Sequence, residues 1–362
     1  MTAGIAGAIL ALGTLSGSPL GAAERPCQEV TLERARPMMA TLVAVTARGC
    51  DPDALEERVR ESFAEMERLA AILSEWDPAS PVSHLNSRAG VEPVRVPREL
   101  HDVLQTALHV SQLSSGAFDP TWAALGDLWR FDGEPHLPPS NEVMRRRALV
   151  GYRQVILEPS GRTAFLSRQG ARIGLGGIAK GYIAEAAANF LVARGVHDVL
   201  VAASGDMTAR GRNGDRPWTI AIRDPRNPSG ARATVSLEDE SISTSGDYER
   251  FFVVAGRRYH HIIDPRTGYP ATRTTSATVI APHGALADAL ATGLFVLGPE
   301  RGAAVVRRMP GVSALLVDAS GKVHLSGSSR RFAGQAAADP ITAPPAPPGS
   351  VRHGRAAPPR AP

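Results

Sequence analysis

The chain has 362 residues, 43% of them hydrophobic, and a formal charge of +4. That is enough apolar material to bury a sizeable core, as one large domain or two smaller ones. The basic residues are scattered and form no cluster interleaved with aromatics, which excludes nucleic acid as the expected partner. Nearly all the positive charge is arginine, and Lys180 and Lys322 are the only lysines.

In chain order, the first 23 residues read as an export signal. An apolar run from Ile5 to Leu15 is followed by small residues, with Gly21 and Ala23 suited to cleavage after Ala23. That run is too short to span a bilayer comfortably. Cys27 follows Pro26, which argues against a lipid-anchored cysteine. With Cys50 it is one of only two cysteines; in an oxidising compartment they pair, and otherwise they are two unrelated thiols. PMMATLVAVT (Pro37 to Thr46) is apolar and β-branched enough for a strand. Asp51-Pro52 then caps a helix whose Leu55, Val59, Phe63, Met66, Leu69 and Leu73 recur at spacings of three and four, making one buried face. A second helix starts near Pro97, buries Leu100, Val103, Leu104, Ala107 and Val110, and stops at Gly116.

IGLGGIAKGYIAE, from Ile173 to Glu185, puts three glycines in four positions ahead of a third helix. That helix turns Ile183, Ala187, Phe190 and Leu191 inward and closes at Gly195. Strands follow in DVLVAASGDM, ATVSL and RRYHHIID, and Gly284 to Leu297 forms a last helix. Helices and strands mix without regular βαβ alternation, so the predicted class is α+β, with mixed or antiparallel sheets packed against helices. After about Phe332 a Pro/Ala-rich stretch cannot build a core and reads as a disordered tail over 334–362. The folded domain is therefore expected over 24–333.

Three constellations bear chemistry. The glycine loop fits G-x-G-x-x-A through Gly174, Gly176 and Ala179, and Asp198 stands at roughly the distance of a ribose-binding acid. A dinucleotide-binding turn, however, should follow a buried apolar strand, and SRQGAR is not one. The helix GALADALATGLFVLG is apolar nearly all round, so it is buried. Its polar exceptions, Asp288 and Thr292, lie one turn apart on one face. A buried carboxylate needs compensation, from a hard cation such as Mg²⁺ or from backbone hydrogen bonds. In RRYHHIIDPRTGYP, strand alternation sets Tyr259, His261 and Ile263 on one side and His260 and Asp264 on the other. Either histidine could serve as a general base or phosphate ligand, or simply be structural.

Taken in order, MMAT, LSEWDPASPVSHLN, SGAFDPTWAALGDLW, GLGGIAKGY, TSGDYE, HHIIDPRTGYP and ADALATGLFVLG resemble the ApbE family of FAD:protein FMN transferases, from about Met39 to Gly298. The resemblance implies an ApbE-like fold and an exported, Mg²⁺-dependent enzyme of the periplasm or inner membrane. Such an enzyme transfers the FMN half of FAD to a Ser or Thr hydroxyl, usually Thr, of a flavoprotein carrying a D-x-x-[ST]-G-A-[ST] motif, and releases AMP. It further implies that Met39, Trp76, Ala117, Phe118, Asp119, Gly174, Lys180 and Thr275 contact FAD. Asp288, Thr292 and the Gly177 carbonyl would hold the metal, with Asp288 essential to catalysis and His261 the candidate general base. An aromatic at position 76 suits a flavin, whose ring stacks on π faces.

This chain departs from the family pattern at three places. Gly174 stands where an acid is usual, with Asp119 or Asp206 the expected substitutes. Ala40 and Ser204 stand where glycines are usual. The missing acid leaves two rival expectations beside the transferase: an FAD pyrophosphatase that uses water, and a periplasmic flavin-binding protein whose catalysis has lapsed.

Overall fold

The computed structural model describes residues 27–333; the expected signal segment and Pro/Ala-rich tail lie outside them. An eight-stranded sheet organises the chain. From one edge to the other its strands are Val30–Met38, Thr41–Gly49, Asp198–Ala203, Asp206–Arg210, Ser241–Gly246, Thr274–Ala281, Ser313–Asp318 and Val323–Ser326. Every neighbouring pair is antiparallel. All eight residues of Thr274–Ala281 are buried, as expected for a strand covered on both faces.

One face carries the helices Pro52–Leu73, Arg98–Leu113, Ala179–Val192 and Gly284–Leu297, and their apolar stripes join Val43, Val45, Ala47, Ala277 and Val279 in the main core. The other face is covered by the hairpin Trp218–Arg223 and Ala231–Leu237, with Trp218 against Leu200, Ile242 and Leu315. A smaller aromatic cluster gathers Trp129, Phe131, Phe252, Tyr259 and Tyr269. The α+β layering expected from the sequence is what the chain adopts.

The two long helices near the start match their patterns closely. Asp51 caps the first, its carboxylate accepting from the amides of Asp53 and Ala54 at 3.1 and 3.0 Å. All five apolar residues expected inward on Arg98–Leu113 are buried, and Gly116 ends that segment at φ +78°. Phe190 departs from expectation: it is half-buried, its ring under the Arg194 guanidinium at 3.4 Å. Cys27 and Cys50 form a disulfide, because the pairing of Val30 with Gly49 brings the flanking residues together.

The single strand expected over Pro37 to Thr46 is instead the turn of a hairpin. Met38 pairs with Thr41, leaving Met39 and Ala40 as a two-residue loop with φ of 50° and 56°. Positive φ at both positions is the geometry that suits tightly linked, right-twisted strands and that Asn or Gly adopts most readily. Ala40 holds it at a cost, and so does Ser204 (φ 63°) between the strands ending at Ala203 and starting at Asp206. Ala40→Gly should stabilise the fold by about 1 kcal/mol, the scale of the left-handed penalty. Thermal unfolding would read this as a higher Tm, and an unchanged or lower Tm would count against a strained turn.

Candidate functional site

The site begins where two helices meet without side chains between them. A β-carbon on Gly181 would collide with the Gly284 carbonyl and stand 2.8 Å from the Asp288 β-carbon; one on Gly284 would collide with the Gly181 carbonyl. This backbone contact seats the start of Ala179–Val192 against Gly284–Leu297, and the Gly181 amide donates to Asp288 Oδ2 at 3.1 Å. Asp288 is 3% exposed. Burial, and then the nearby Asp206 charge, hold its carboxyl above the usual range.

Lys180 projects into the same place and pairs with Asp206, whose other oxygen accepts from Ser243 Oγ at 2.5 Å. Burial works against the lysine's charge, but Asp206, Asp288 and the hydrogen bond together outweigh it and keep the ammonium protonated. One turn beyond Asp288, Thr292 Oγ1 lies 3.2 Å from Ser245 Oγ. A β-carbon on Gly177 would be 3.1 Å from that Thr292 oxygen and 3.4 Å from the Phe118 ring, so glycine lets the loop backbone approach both. Asp288, Thr292 and Gly177 therefore come together, with Lys180 beside them.

No three His, Cys, Asp or Glu side chains gather to hold a metal among the described residues. A site here would instead draw on one carboxylate, one hydroxyl and a backbone carbonyl. Those all-oxygen donors fit a hard cation, and a buried carboxylate with a raised pKa is the group such a charge would relieve.

The two adjacent histidines are told apart by their partners. His260 is 3% exposed and fully satisfied: Nε2 donates to the Ala271 carbonyl at 2.7 Å, and Nδ1 accepts from the Ile262 amide at 3.2 Å. It is structural. His261 sits past the end of its strand with its ring edge-on to Phe131, and its buried Nδ1 has no partner. Burial, with His260 beside it, lowers its pKa to about 4, and the Lys180 charge adds to that shift. The imidazole is thus neutral near pH 7 and can accept a proton, although burial makes it a weaker base than a free histidine.

The remaining expected residues divide. Met39 packs partly buried against the main core from the hairpin turn. Ala117 and Phe118 are buried at the end of Arg98–Leu113, where the Phe118 amide donates to Ser114 Oγ at 3.0 Å. Trp76 is 77% exposed, more than any other large hydrophobic described. Asp119 is buried and fully engaged, accepting from Thr121 N and Oγ1 and from Tyr152 N at 2.8, 2.6 and 2.7 Å. Burial raises its pKa. Thr275 donates to the carbonyls of Val317 and Asp318 on the neighbouring strand.

Neither Asp119 nor Asp206 takes the place of the acid missing at 174. The carboxylate that reaches it belongs to Glu75, whose Oε2 would be 2.5 Å from a β-carbon on Gly174 and accepts from the Leu175 amide at 2.7 Å. Ala123 and the Trp122 indole close the same space, at 2.8 and 3.0 Å. Residue 174 must therefore be glycine here. Sequence reading missed Glu75 because its loop partner lies 100 residues on; only the proximity of an acid to Trp76 hinted at it.

The ApbE family model matches residues 39–316. The chain is 36% identical over 311 residues to the FAD:protein FMN transferase of Treponema pallidum, covering 81% of this chain and 86% of that one. Among solved structures, the ApbE protein of Thermotoga maritima superposes with a TM-score of 0.77 at 32% identity, covering 84% of this chain and all of that one. The flavin transferase ApbE of Vibrio cholerae does so with a TM-score of 0.73 at 30% identity, over 85% of this chain and all of its own. The chain belongs to the ApbE family.

Proposed function

We propose that the protein transfers the FMN moiety of FAD to a Ser or Thr hydroxyl, usually Thr, of a partner flavoprotein and releases AMP. The observation that carries this reading is the meeting of Asp288, Thr292 and the Gly177 backbone beside Lys180, whose charge also acts on the buried His261, in a chain whose relatives are FAD:protein FMN transferases. FAD is then a substrate, gripped through its flavin by the exposed Trp76 and through its phosphates by Lys180.

Asp288, Thr292 and the Gly177 carbonyl would hold Mg²⁺, which when bound supplies charge neutralisation at the pyrophosphate. Lys180 contributes a fixed positive charge, kept in place by Asp206. The acceptor hydroxyl attacks the FMN-side phosphorus. A new O–P bond forms as the bridging P–O bond breaks, the electron pair leaves on the AMP phosphate, and the hydroxyl proton passes to His261. Because AMP leaves readily, orientation and charge matter more than strong acid catalysis. Glu75 engages the amides at the start of the loop, so phosphate binding there falls to Gly177 and the residues after it.

The acceptor is a flavoprotein outside the cytoplasm, carrying a D-x-x-[ST]-G-A-[ST] motif. An exported location, in the periplasm or at the inner membrane, is supported by the Cys27–Cys50 disulfide, since such bonds persist in oxidising compartments.

His261→Ala should lower the transfer rate at saturating FAD by about 10²-fold or more, the usual scale for losing a positioned base, with little change in FAD affinity. A rate equal to wild type would remove His261 from the mechanism. Following AMP by chromatography, with the acceptor motif present or with its Thr changed to Val, tests the reaction class. AMP formation that needs the hydroxyl supports transfer, whereas AMP formed at the same rate without it means hydrolysis by water.

A further inference from the structure

Glu75 has no chemical role in the proposed transfer, yet it is the residue on which two parts of the site converge. It follows Ser74 at the end of the helix Pro52–Leu73 and immediately precedes the exposed Trp76. Its carboxylate leaves that turn and enters the glycine loop, accepting from the Leu175 amide at 2.7 Å and from the Gly176 amide. The neighbouring chain is shaped around it. Gly174 has no β-carbon to displace it, the Gly174 carbonyl accepts from Trp122 Nε1 at 3.2 Å, and the Gly174 amide donates to the Pro120 carbonyl at 2.8 Å. Two residues beyond Leu175 comes Gly177, packed against Thr292 and Phe118. A half-buried acid held by backbone amides is partly desolvated, and that cost has to be offset. Here burial pushes Glu75 up to about 7 against those amides and Arg172.

We propose that Glu75 is a positioning residue that locks the Trp76 turn to the glycine loop, so that the aromatic platform and the Gly177 carbonyl move as one unit when FAD binds. What the lock requires is an accepting oxygen at the end of a side chain of this length. The inference rests on the FAD reading of the site for its ligand, but the lock itself can be read without any ligand.

The test compares wild type, Glu75→Ala and Glu75→Gln by two measurements. The first is hydrogen–deuterium exchange of peptides covering 173–178 in the free protein. The second is FAD affinity, from the quenching of flavin fluorescence. Glu75→Ala should speed exchange of the loop amides and weaken FAD binding by about ten- to a hundredfold, the usual worth of a hydrogen bond to a charged group. Its Tm should fall by a few degrees, since the buried Leu175 amide loses its acceptor but no apolar core packing is removed. Glu75→Gln keeps the accepting oxygen and should stay within about threefold of wild type in both measurements. Unchanged exchange in Glu75→Ala overturns the proposal, and so does a Gln variant as impaired as the Ala one. If wild type itself does not bind FAD, the flavin reading fails. The exchange data then decide the lock alone: protection lost in Ala and kept in Gln supports it, and equal protection in all three rejects it.

Discussion

Asp288→Asn should abolish flavin transfer, by about 10³-fold or more, while leaving the protein folded and no less stable. The two halves of this expectation come from the same fact. Asp288 is 3% exposed on a helix otherwise apolar, and its one described protein hydrogen bond, from the Gly181 amide, is one that Asn can still accept. In the reading above it is the only carboxylate among the proposed cation donors, so its loss removes the charge that holds the cation, and site charges of this kind are commonly worth two to three orders of magnitude in rate. In the unliganded protein, however, an ionised Asp288 beside Asp206 is a burden that raises its pKa. A carboxyl whose folded-state pKa is raised favours folding most when protonated, and that contribution fades as pH rises through the folded pKa. The Asn variant should therefore match wild type in acid and exceed it in alkali, by about 1 kcal/mol. Thermal unfolding across pH without added metal reads this directly. A variant clearly less stable at alkaline pH would mean that Asp288 is a structural acceptor and not a site poised for a cation.

The second large effect concerns packing. Gly181→Ala should destabilise the protein by about 3 kcal/mol, at the upper end of overpacking costs, and disable the site as well. The new methyl would collide with the Gly284 carbonyl and crowd the Asp288 β-carbon. Backbone on both sides cannot rotate out of the way as a side chain would, so the helices must separate. Their separation would carry Lys180 and Gly177 away from Asp288 and Thr292. Gly176→Ala is the control, because a β-carbon there meets nothing within 4 Å, and its Tm should stay near wild type. Equal stability of the two variants would show that the helix crossing yields more easily than its contacts imply.

These residues also show what could be read from sequence. The helix Gly284–Leu297 was legible to its ends, because an apolar run broken only by Asp288 and Thr292 reads as buried, while whether Asp288 serves a cation or a backbone amide was left open. The helix Pro52–Leu73 announced its start through Asp51 and Pro52. The hairpin between Val30 and Gly49 was not legible, since its turn uses Met39 and Ala40 where turn chemistry would write Asn and Gly. The difference between His260 and His261 was equally hidden: strand alternation separates their sides but says nothing of which nitrogen finds a partner. Glu75 was the deepest omission. A lone acid in a turn has no periodicity, and its meaning depends on a glycine loop that only the folded chain brings to it. Local patterns report local structure, whereas a site assembled from residues 75, 177, 180, 261 and 288 is a property of the sheet that gathers them.

The central claim is that a pyrophosphate bond is exchanged for a phosphoester on a protein hydroxyl. The most direct measurement is the intact mass of an acceptor domain carrying the D-x-x-[ST]-G-A-[ST] motif, after incubation with the protein lacking its first 23 residues, FAD and Mg²⁺. The account predicts that the acceptor gains the mass of one esterified FMN, and that the gain disappears with Asp288→Asn. An acceptor of unchanged mass, with FAD bound and intact after long incubation, would contradict it and make this chain a flavin-binding protein.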